Sequence, residues 1–493
     1  MARFSTGRRG VNRTTTYEGA PATYIQDPRA NLVSQVLTTF VNEPKFYGRT
    51  DEHTDRLKHS IKVVLDKDPK FVANLARYAR NHLHMRSVTH LLVGELAAHP
   101  KGKPYVRNLI PIISHRPDDL TEILAYYLNT YGKPIPNSLK KGLADAFAYF
   151  NEYQLEKYNR KRDIKLKDIL CLCHPKPVNS VQSDVWKRLL EDNLEVPYTW
   201  ETQLSTRGNT KEVWEELIDS KKVGYMALLR NLRNILEADP NNLQEVLNYL
   251  ADPEAVRKSK QLPFRFYAAY REILQPQSTF RYFGHSRDRV DFSTNAALIT
   301  LETAIEHSTD NLETIPGRTV LVNDDSGSMT WNTISNRSTI TTAEIAALML
   351  SISHKLCEKN LVGSFSNDFR LRNLDPRGGI INNTLKLVEA SQGGATYMEN
   401  IFEFLLNHEI ATDRIIVFSD NEAHGYPHRL WQQYTNNVAP NAWLHLIDLA
   451  GYGHQIIHGD RVTYTPGWSE KVLQFIMLAE TNITDIVLHI DQL

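Results

Sequence analysis

Residues 320–330 read VLVNDDSGSMT, an apolar run that stops at two carboxylates and continues with two serines separated by a glycine. Val320, Leu321 and Val322 form a short branched run bounded by turn residues, the pattern of a buried strand. Such a strand delivers Asp324, Ser326 and Ser328 to a loop at its carboxyl end, where ligands bind in open α/β sheets. One carboxylate and two hydroxyls on a tight loop suit a hard, oxygen-loving cation such as Mg²⁺. The same residues also suit a polar turn with an Asx or Ser cap on the next helix, so this stretch alone leaves both readings open.

The residues around this loop alternate between strand and helix patterns. After Gly317, strand candidates RTVLVND, LVGSFS, DRIIVFSD and AWLHLID are separated by helix candidates AEIAALMLSISHKLCE and ENIFEFLLNHE. That alternation predicts a doubly wound, mostly parallel sheet over 317–493. Two more strand-end loops then offer oxygen ligands. SQGGATYMENIFEFL places Gly393 and Gly394 before a helix with the Thr396 hydroxyl following, and IIVFSDNEAHG ends a strand at Ser419 and Asp420. Asp324, Ser326, Ser328, Thr396 and Asp420 would together half-enclose one octahedral cation and leave a position open. Asp325 adds a charge that this chemistry does not require; it is expected to point to solvent, the alternative being an acceptor that supports the ligands from behind.

The set Asp-x-Ser-x-Ser, a Gly-Gly threonine loop and a strand-terminal Asp resembles the metal-ion-dependent adhesion site of von Willebrand factor A domains. That family commonly has Thr directly after the paired glycines, whereas Ala395 stands there in this chain and Thr396 follows. The ligation by Thr396 is therefore less secure than that by Asp324.

Before Gly317 the pattern is helical. In DPKFVANLARYARNHL, the residues Phe71, Leu75, Tyr78 and Ala79 fall on one stripe, and Asp68 before Pro69 makes a helix start. Similar blocks follow at DDLTEILAYYLNTYG, LKKGLADAFAYFNEYQ, NLQEVLNYLAD and TNAALITLETAIEHS. Helices joined by short Pro- or Asp-bearing turns predict a HEAT-like α-solenoid over 28–316, although no strict sequence period is present. Residues 1–27 form a basic, turn-rich arm carrying Arg3, Arg8, Arg9 and Arg13.

The 493 residues carry no formal net charge, but the charge is segregated. Residues 317–493 hold 12 Lys and Arg against 19 Asp and Glu, which leaves 45 against 38 in residues 1–316. A basic first part beside an acidic second part hints at a polyanionic partner for the former. No apolar run reaches the length of a membrane span. The N-terminus lacks an apolar signal core and the chain has three cysteines, so it is expected to be cytoplasmic. Cys171, Cys173 and His174 lie close together but lack a fourth ligand for structural zinc. No P-loop, nucleophile elbow or paired acid series is present, so an enzyme is not expected.

Helical repeats followed by an A domain resemble the Ro autoantigen family, also called the TROVE family, with its bacterial and phage relatives. The carrying stretches are DPKFVANLARYARNHLHMRSVTH, GLADAFAYFNEYQLEKYNRKRDIKLKDILCLCHPKP, KQLPFRFYAAY and VFSDNE. The resemblance implies a helical toroid with the A domain at its seam. It also implies small noncoding Y-like RNA on the outer basic surface and single-stranded ends of misfolded RNA in the central hole. RNA quality control or processing without catalysis by this chain itself would follow, with a nuclease as a partner and the protein a monomer.

The family's RNA-contacting pattern of Lys, basic residue and His matches here at Lys157, Lys161 and His174, with Arg160 and Lys176 beside them. Lys157 and Lys161, at i and i+4, are expected to share a helix face and straddle phosphates. Without the resemblance, a solvated helix face and a capping histidine explain the same residues. Tyr158 suits either a base stack or the core. Arg77, Arg80 and Arg86 lie in another basic helix, where they can line the ring or pair with acids. An alternative function is a metal-dependent protein-interaction scaffold, in which a partner's acidic ligand completes the cation's open position.

Overall fold

The computed structural model describes residues 13–15, 20–23, 27–38, 50–159, 163–274, 287–331, 339–449, 455–466 and 471–493. Arg160 and Lys161 lie outside them. The chain divides into two compact units. One comprises described residues from 27–38, 50–197 and Thr481–Leu493; the other comprises those from Tyr198 to Glu480 together with residues 13–15 and 20–23.

The first unit is helical. Its helix Pro69–Asn81 shows why these sequences fold as they do. The Asp68 carboxylate accepts the Phe71 N–H at 3.1 Å, and Pro69 occupies a position where no N–H is needed. Phe71, Leu75, Tyr78 and Ala79 are all buried, as their spacing predicts. Helices Ser87–Ala98, Lys103–Ile113, Pro117–Tyr131 and Asn137–Phe147 follow, and alternate ones pack on each other: 87–98 against 117–131, and 103–113 against 137–147. The block LKKGLADAFAYFNEYQ does not form one helix. It breaks after Phe147 and restarts at Glu152, with the Asn151 side chain capping the Gln154 N–H at 2.9 Å.

The second unit carries two sheets. Strands β1 (Arg13–Thr15) and β2 (Pro21–Thr23), inside the segment read as an arm, pair antiparallel. The main sheet contains β3 (Ile315–Asp324), β4 (Cys357–Phe365), β5 (Phe369–Leu371), β6 (Arg414–Ser419), β7 (Trp443–Asp448) and β8 (Val462–Pro466). Their order is β5-β4-β3-β6-β7-β8, parallel except for the antiparallel pair β4/β5. From β3 the chain winds first toward β4 and then crosses back to β6, so the strand order reverses at the β3/β6 junction. That junction is the crevice where open α/β sheets take ligands. The doubly wound fold is therefore present, and β5 and β8 are added edge strands.

The helices from Trp200 to Ser308 belong to this unit too. Trp214, Tyr267, Leu301 and Ile305 share one apolar core with Leu321, Ile345, Leu348 and Phe418. Tyr267 donates to Glu344 at 3.1 Å and Arg271 pairs with the same carboxylate at 2.7 Å. Packing in this unit thus runs without a break through residue 316.

Candidate functional site

Strand β3 sets the first cluster. Asn323 is in register with Phe418 of β6, which places Asp324 opposite Ser419. The Asp324 carboxylate is fully buried; it accepts the Ser326 N–H at 2.8 Å and the Ser419 hydroxyl. Ser326 and Ser328 face one another with their oxygens 3.2 Å apart. The Gly393–Gly394 turn, both residues at positive φ, brings the third loop in: the Gly327 N–H donates to the Gly394 carbonyl at 3.1 Å. The Thr396 carbonyl in turn accepts the His424 N–H at 2.9 Å, tying that loop to the one after β6. Thr396 itself is buried. All five sequence-predicted ligands thus lie on three loops that hydrogen bonds join at one end of the sheet.

The electrostatics of this cluster are unbalanced. Burial raises the Asp324 carboxyl above its ordinary range, which the Ser326 and Ser419 hydrogen bonds only partly offset. Burial raises Asp420 as well, and the Asp324 charge adds to it. The nearby Ser328 hydroxyl favours the charged form of Asp420, yet its Oδ2 has no hydrogen-bond partner among the described residues. Asn421 follows in a left-handed conformation, buried, with neither side-chain amide atom hydrogen-bonded among the described residues. Among the described residues no three His, Cys, Asp or Glu side chains converge in metal-holding geometry. A cation here would rely on hydroxyls beside two carboxylates, and that hard-oxygen set with an unmatched buried carboxylate oxygen fits Mg²⁺.

Asp325 does not point to solvent. It is buried and pairs with Arg372 at 2.8 Å, while Asn323 donates to it at 3.1 Å. Its N–H donates to the Phe365 carbonyl of β4. Asp325 therefore braces the loop from behind, through an arginine that the local motif gave no reason to select.

The second cluster is basic. Lys157 is half-buried on the helix Glu152–Tyr158, 3.5 Å from the Tyr153 hydroxyl and over the rings of Tyr153 and Tyr158. The helix ends at Tyr158, since Asn159 has left the helical conformation. The expected sharing of a helix face by Lys157 and Lys161 falls outside the described residues, since Lys161 is not among them. Tyr158 is covered by Arg116, whose guanidinium lies 4.4 Å from the ring centroid. His174 and Lys176 are exposed, and His174 ends the helix Leu166–Cys173 in a left-handed conformation.

No direct contact joins Lys157 to His174 or Lys176 among the described residues, but Gln182 links their segments. Its Oε1 accepts the Val178 N–H at 2.9 Å, and its Nε2 donates to the Ala148 carbonyl at 2.8 Å. Arg188 adds a second tie, to Glu152 at 2.6 Å. The loop carrying His174 and Lys176 is thus pinned beside the turn that leads into the Lys157 helix.

Arg77, Arg80 and Arg86 have inward partners. Arg80 is buried against Asp119 at 3.0 Å, Arg86 pairs with Asp118 at 2.8 Å, and Arg77 donates to the Leu493 carbonyl at 2.8 Å.

The TROVE domain family model matches residues 12–194 and 192–282 of this chain. The chain belongs to the TROVE-domain family. The first matched segment spans Lys157, Arg160, Lys161, His174 and Lys176. Telomerase protein component 1 of Rattus norvegicus is 24% identical over 343 residues, 52% of this chain and 13% of that protein. The Mus musculus protein of the same name is 24% identical over 367 residues, 57% of this chain and 14% of its own. This TROVE chain thus spans about one seventh of the length of these relatives. The crystal structure of the Deinococcus radiodurans Ro (RSR) protein superposes with a TM-score of 0.68 at 17% identity, covering 92% of this chain and 99% of that one. The fold is that of the Ro structure, helical repeats with a von Willebrand A-type sheet domain.

Proposed function

We propose that this TROVE chain is a cytoplasmic, non-catalytic RNA-binding protein. In this reading it holds a small structured RNA, of the Y-like class, on the basic surface around Lys157, His174 and Lys176. Single-stranded RNA ends would enter the hole of the ring that the family resemblance implies, in RNA quality control or processing. The observation that carries this reading is the family match across residues 12–194, which contains the Lys157 helix and the His174 loop that Gln182 joins. Lysines neutralise phosphates without reading sequence, so this surface suits backbone contact along a folded RNA.

The test is a salt series of filter-binding titrations with the RNA that co-purifies with the full chain. Each phosphate contact contributes roughly 0.7–0.9 to the slope of log affinity against log salt. Lys157→Ala and Lys176→Ala should each flatten the slope by about that amount, whereas His174→Ala should weaken binding with little change in slope. Unchanged slopes in both lysine variants would remove this surface from the reading.

A second reading is supported by the unmatched Asp420 oxygen. Mg²⁺ held by Asp324, Ser326, Ser328, Thr396 and Asp420 would keep an open position for an acidic ligand from a partner protein, such as a nuclease. The cation supplies a charge that a carboxylate can complete; the chain's residues position it and exclude water from its inner side. The two readings are compatible, and Asp324→Ala is expected to leave RNA affinity unchanged while removing Mg²⁺ binding in calorimetric titration.

A further inference from the structure

Tyr149 and Tyr153 are 73% and 51% exposed, an unusual outlay of aromatic surface on a water-facing turn and helix. Val178 and Val181 are likewise 76% and 71% exposed. These four residues occupy the two segments that Gln182 clips together, Tyr149 next to the acceptor Ala148 and Val178 as the donor. Each segment carries a lysine close by in the chain: Lys157 lies one helical turn beyond Tyr153, and Lys176 two residues before Val178.

The three tyrosines of this region differ in what covers them. Arg116 lies over Tyr158 and is itself held by Asp118 through contacts of 2.9 and 2.6 Å, so that ring is committed to the protein. Tyr153 has only the Lys157 ammonium near its ring, 5.6 Å from the centroid, and keeps half its surface in water. Tyr149, on the turn before the Asn151 cap, has no ring partner among the described residues.

We infer that Tyr149 and Tyr153 form a stacking platform for unpaired bases of the bound RNA, with the phosphate-binding groups Lys157 and Lys176 close by in the chain. The inference rests on the RNA-binding reading of this surface and adds to it the kind of RNA that fits. An A-form duplex keeps its bases stacked inside and offers an aromatic ring nothing to stack on. Bulged or looped nucleotides expose their faces, and aromatic side chains beside lysines are the arrangement that takes them. The platform therefore selects RNA whose helix is interrupted by unpaired positions. A protein partner is disfavoured as the occupant because each segment carries a lysine close by in the chain and both lie in its more basic part.

The experiment uses the full chain and two synthetic RNA probes, a perfect duplex hairpin and the same hairpin with an internal bulge carrying 2-aminopurine. Wild type should bind the bulged probe more tightly and quench its fluorescence. Tyr149→Ala and Tyr153→Ala should each weaken the bulged probe about tenfold, abolish part of the quenching and leave the salt slope unchanged. The perfect hairpin should be affected less than twofold. Tyr153→Phe should keep both affinity and quenching, since a ring suffices. Both positions are exposed, so matched thermal melts should accompany these variants. If Lys157→Ala weakens binding but the two tyrosine variants bind and quench the bulged probe as wild type does, the platform is wrong and the RNA surface stands. If neither the lysine nor the tyrosine variants alter binding of either probe, the RNA-binding reading of this surface falls with it. Unchanged RNA binding with loss of a co-purifying protein in the tyrosine variants would instead make the strip a protein-docking surface and overturn the inference.

Discussion

Asp119 and Asp420 are carboxylates with almost no exposed surface, 0% and 1%, yet their surroundings are opposite. Asp119 accepts from Arg80 at 3.0 Å, from His90 at 3.0 Å, from the N–H groups of His115 and Arg116 at 3.0 Å each, and from Arg86. Burial alone would push its carboxyl up, but the His90 and Arg86 bonds and charges bring it well below the usual range. Asp420 has one backbone donor, the Glu422 N–H at 3.2 Å, and an Oδ2 without a partner, with Asp324 close by. A buried charge surrounded by its own counter-ions is complete within the protein. One raised in pKa by burial and a like charge is short of a cation. The difference separates a structural charge cluster from a ligand site, although both present as buried acids.

The largest expected effect is at the complete cluster. Asp119→Asn should cost about 3–5 kcal/mol in urea unfolding, because the buried Arg80 loses its carboxylate partner and His90 its acceptor, while Arg86 keeps only Asp118. A loss below about 1 kcal/mol would mean that the cluster contributes little, and the contrast with Asp420 would collapse.

The incomplete cluster should respond in the other direction. Mg²⁺ at about a hundred times its dissociation constant should stabilise the wild-type chain by about 2.7 kcal/mol. Asp420→Asn should lose that response. Without metal, at pH above the raised Asp420 value, the same variant should be more stable than wild type by about 1 kcal/mol, since it removes a buried charge beside Asp324 that its Glu422 and Ser328 donors only partly offset. Calorimetric melts with and without Mg²⁺ measure both. A metal-free Asp420→Asn that melts lower than wild type would show that the Glu422 and Ser328 donors outweigh burial and the Asp324 charge.

A third, partly buried acid, Glu480, tests the comparison through pH. It is bonded by Arg414 at 2.7 Å and by His445 at 3.0 Å. Burial favours its protonated form, but Arg414 and His445 outweigh that and hold it down at about 2, against 4.5 ordinarily. The folded value is the lower one, so the stabilisation is present above pH 4.5 and is lost as pH falls toward 2. Glu480→Gln should therefore lower stability at pH 7 and flatten the acid limb between those values. An unchanged acid limb would assign it to other groups.

What the sequence made legible follows from range. The strand Val320–Val322, the polar loop that follows it and the Asp68–Pro69 helix start rest on residues within a few positions of each other, and local pattern was enough to find them. Asp325 was misread because its partner Arg372 lies 47 residues away on a segment beyond β5. The helix carrying Lys157 was drawn too long because the run after Asn159 holds no glycine or proline to mark its end. Gln182 was passed over altogether. Its use is to join two loops, and a lone glutamine gives no sequence signal for that.

The smallest expected effect concerns His174, where fold and function pull apart. Its φ of 50° and ψ of 55° end the helix Leu166–Cys173 in the left-handed region, with its N–H donating to the Leu170 carbonyl at 3.1 Å. Glycine is the residue that usually stands at such a helix end, and an L-residue there costs roughly 1–2 kcal/mol. Asp239 and Lys260 end their helices in the same conformation, so the proposed RNA contact of His174 has to be tested through its side chain and not its backbone. His174→Gly should relieve the strain and, after the larger entropy of a flexible unfolded chain, leave the protein more stable by about 0.5 kcal/mol. His174→Ala keeps the strained backbone and should be neutral within about the same margin. Both should weaken the co-purified RNA to the same degree, because both lack the imidazole. Urea unfolding and filter binding on the two variants separate the effects. A glycine variant that is less stable than wild type would deny the left-handed helix end. One that is more stable and binds RNA as tightly as wild type would leave His174 a poor cap with no part in RNA contact.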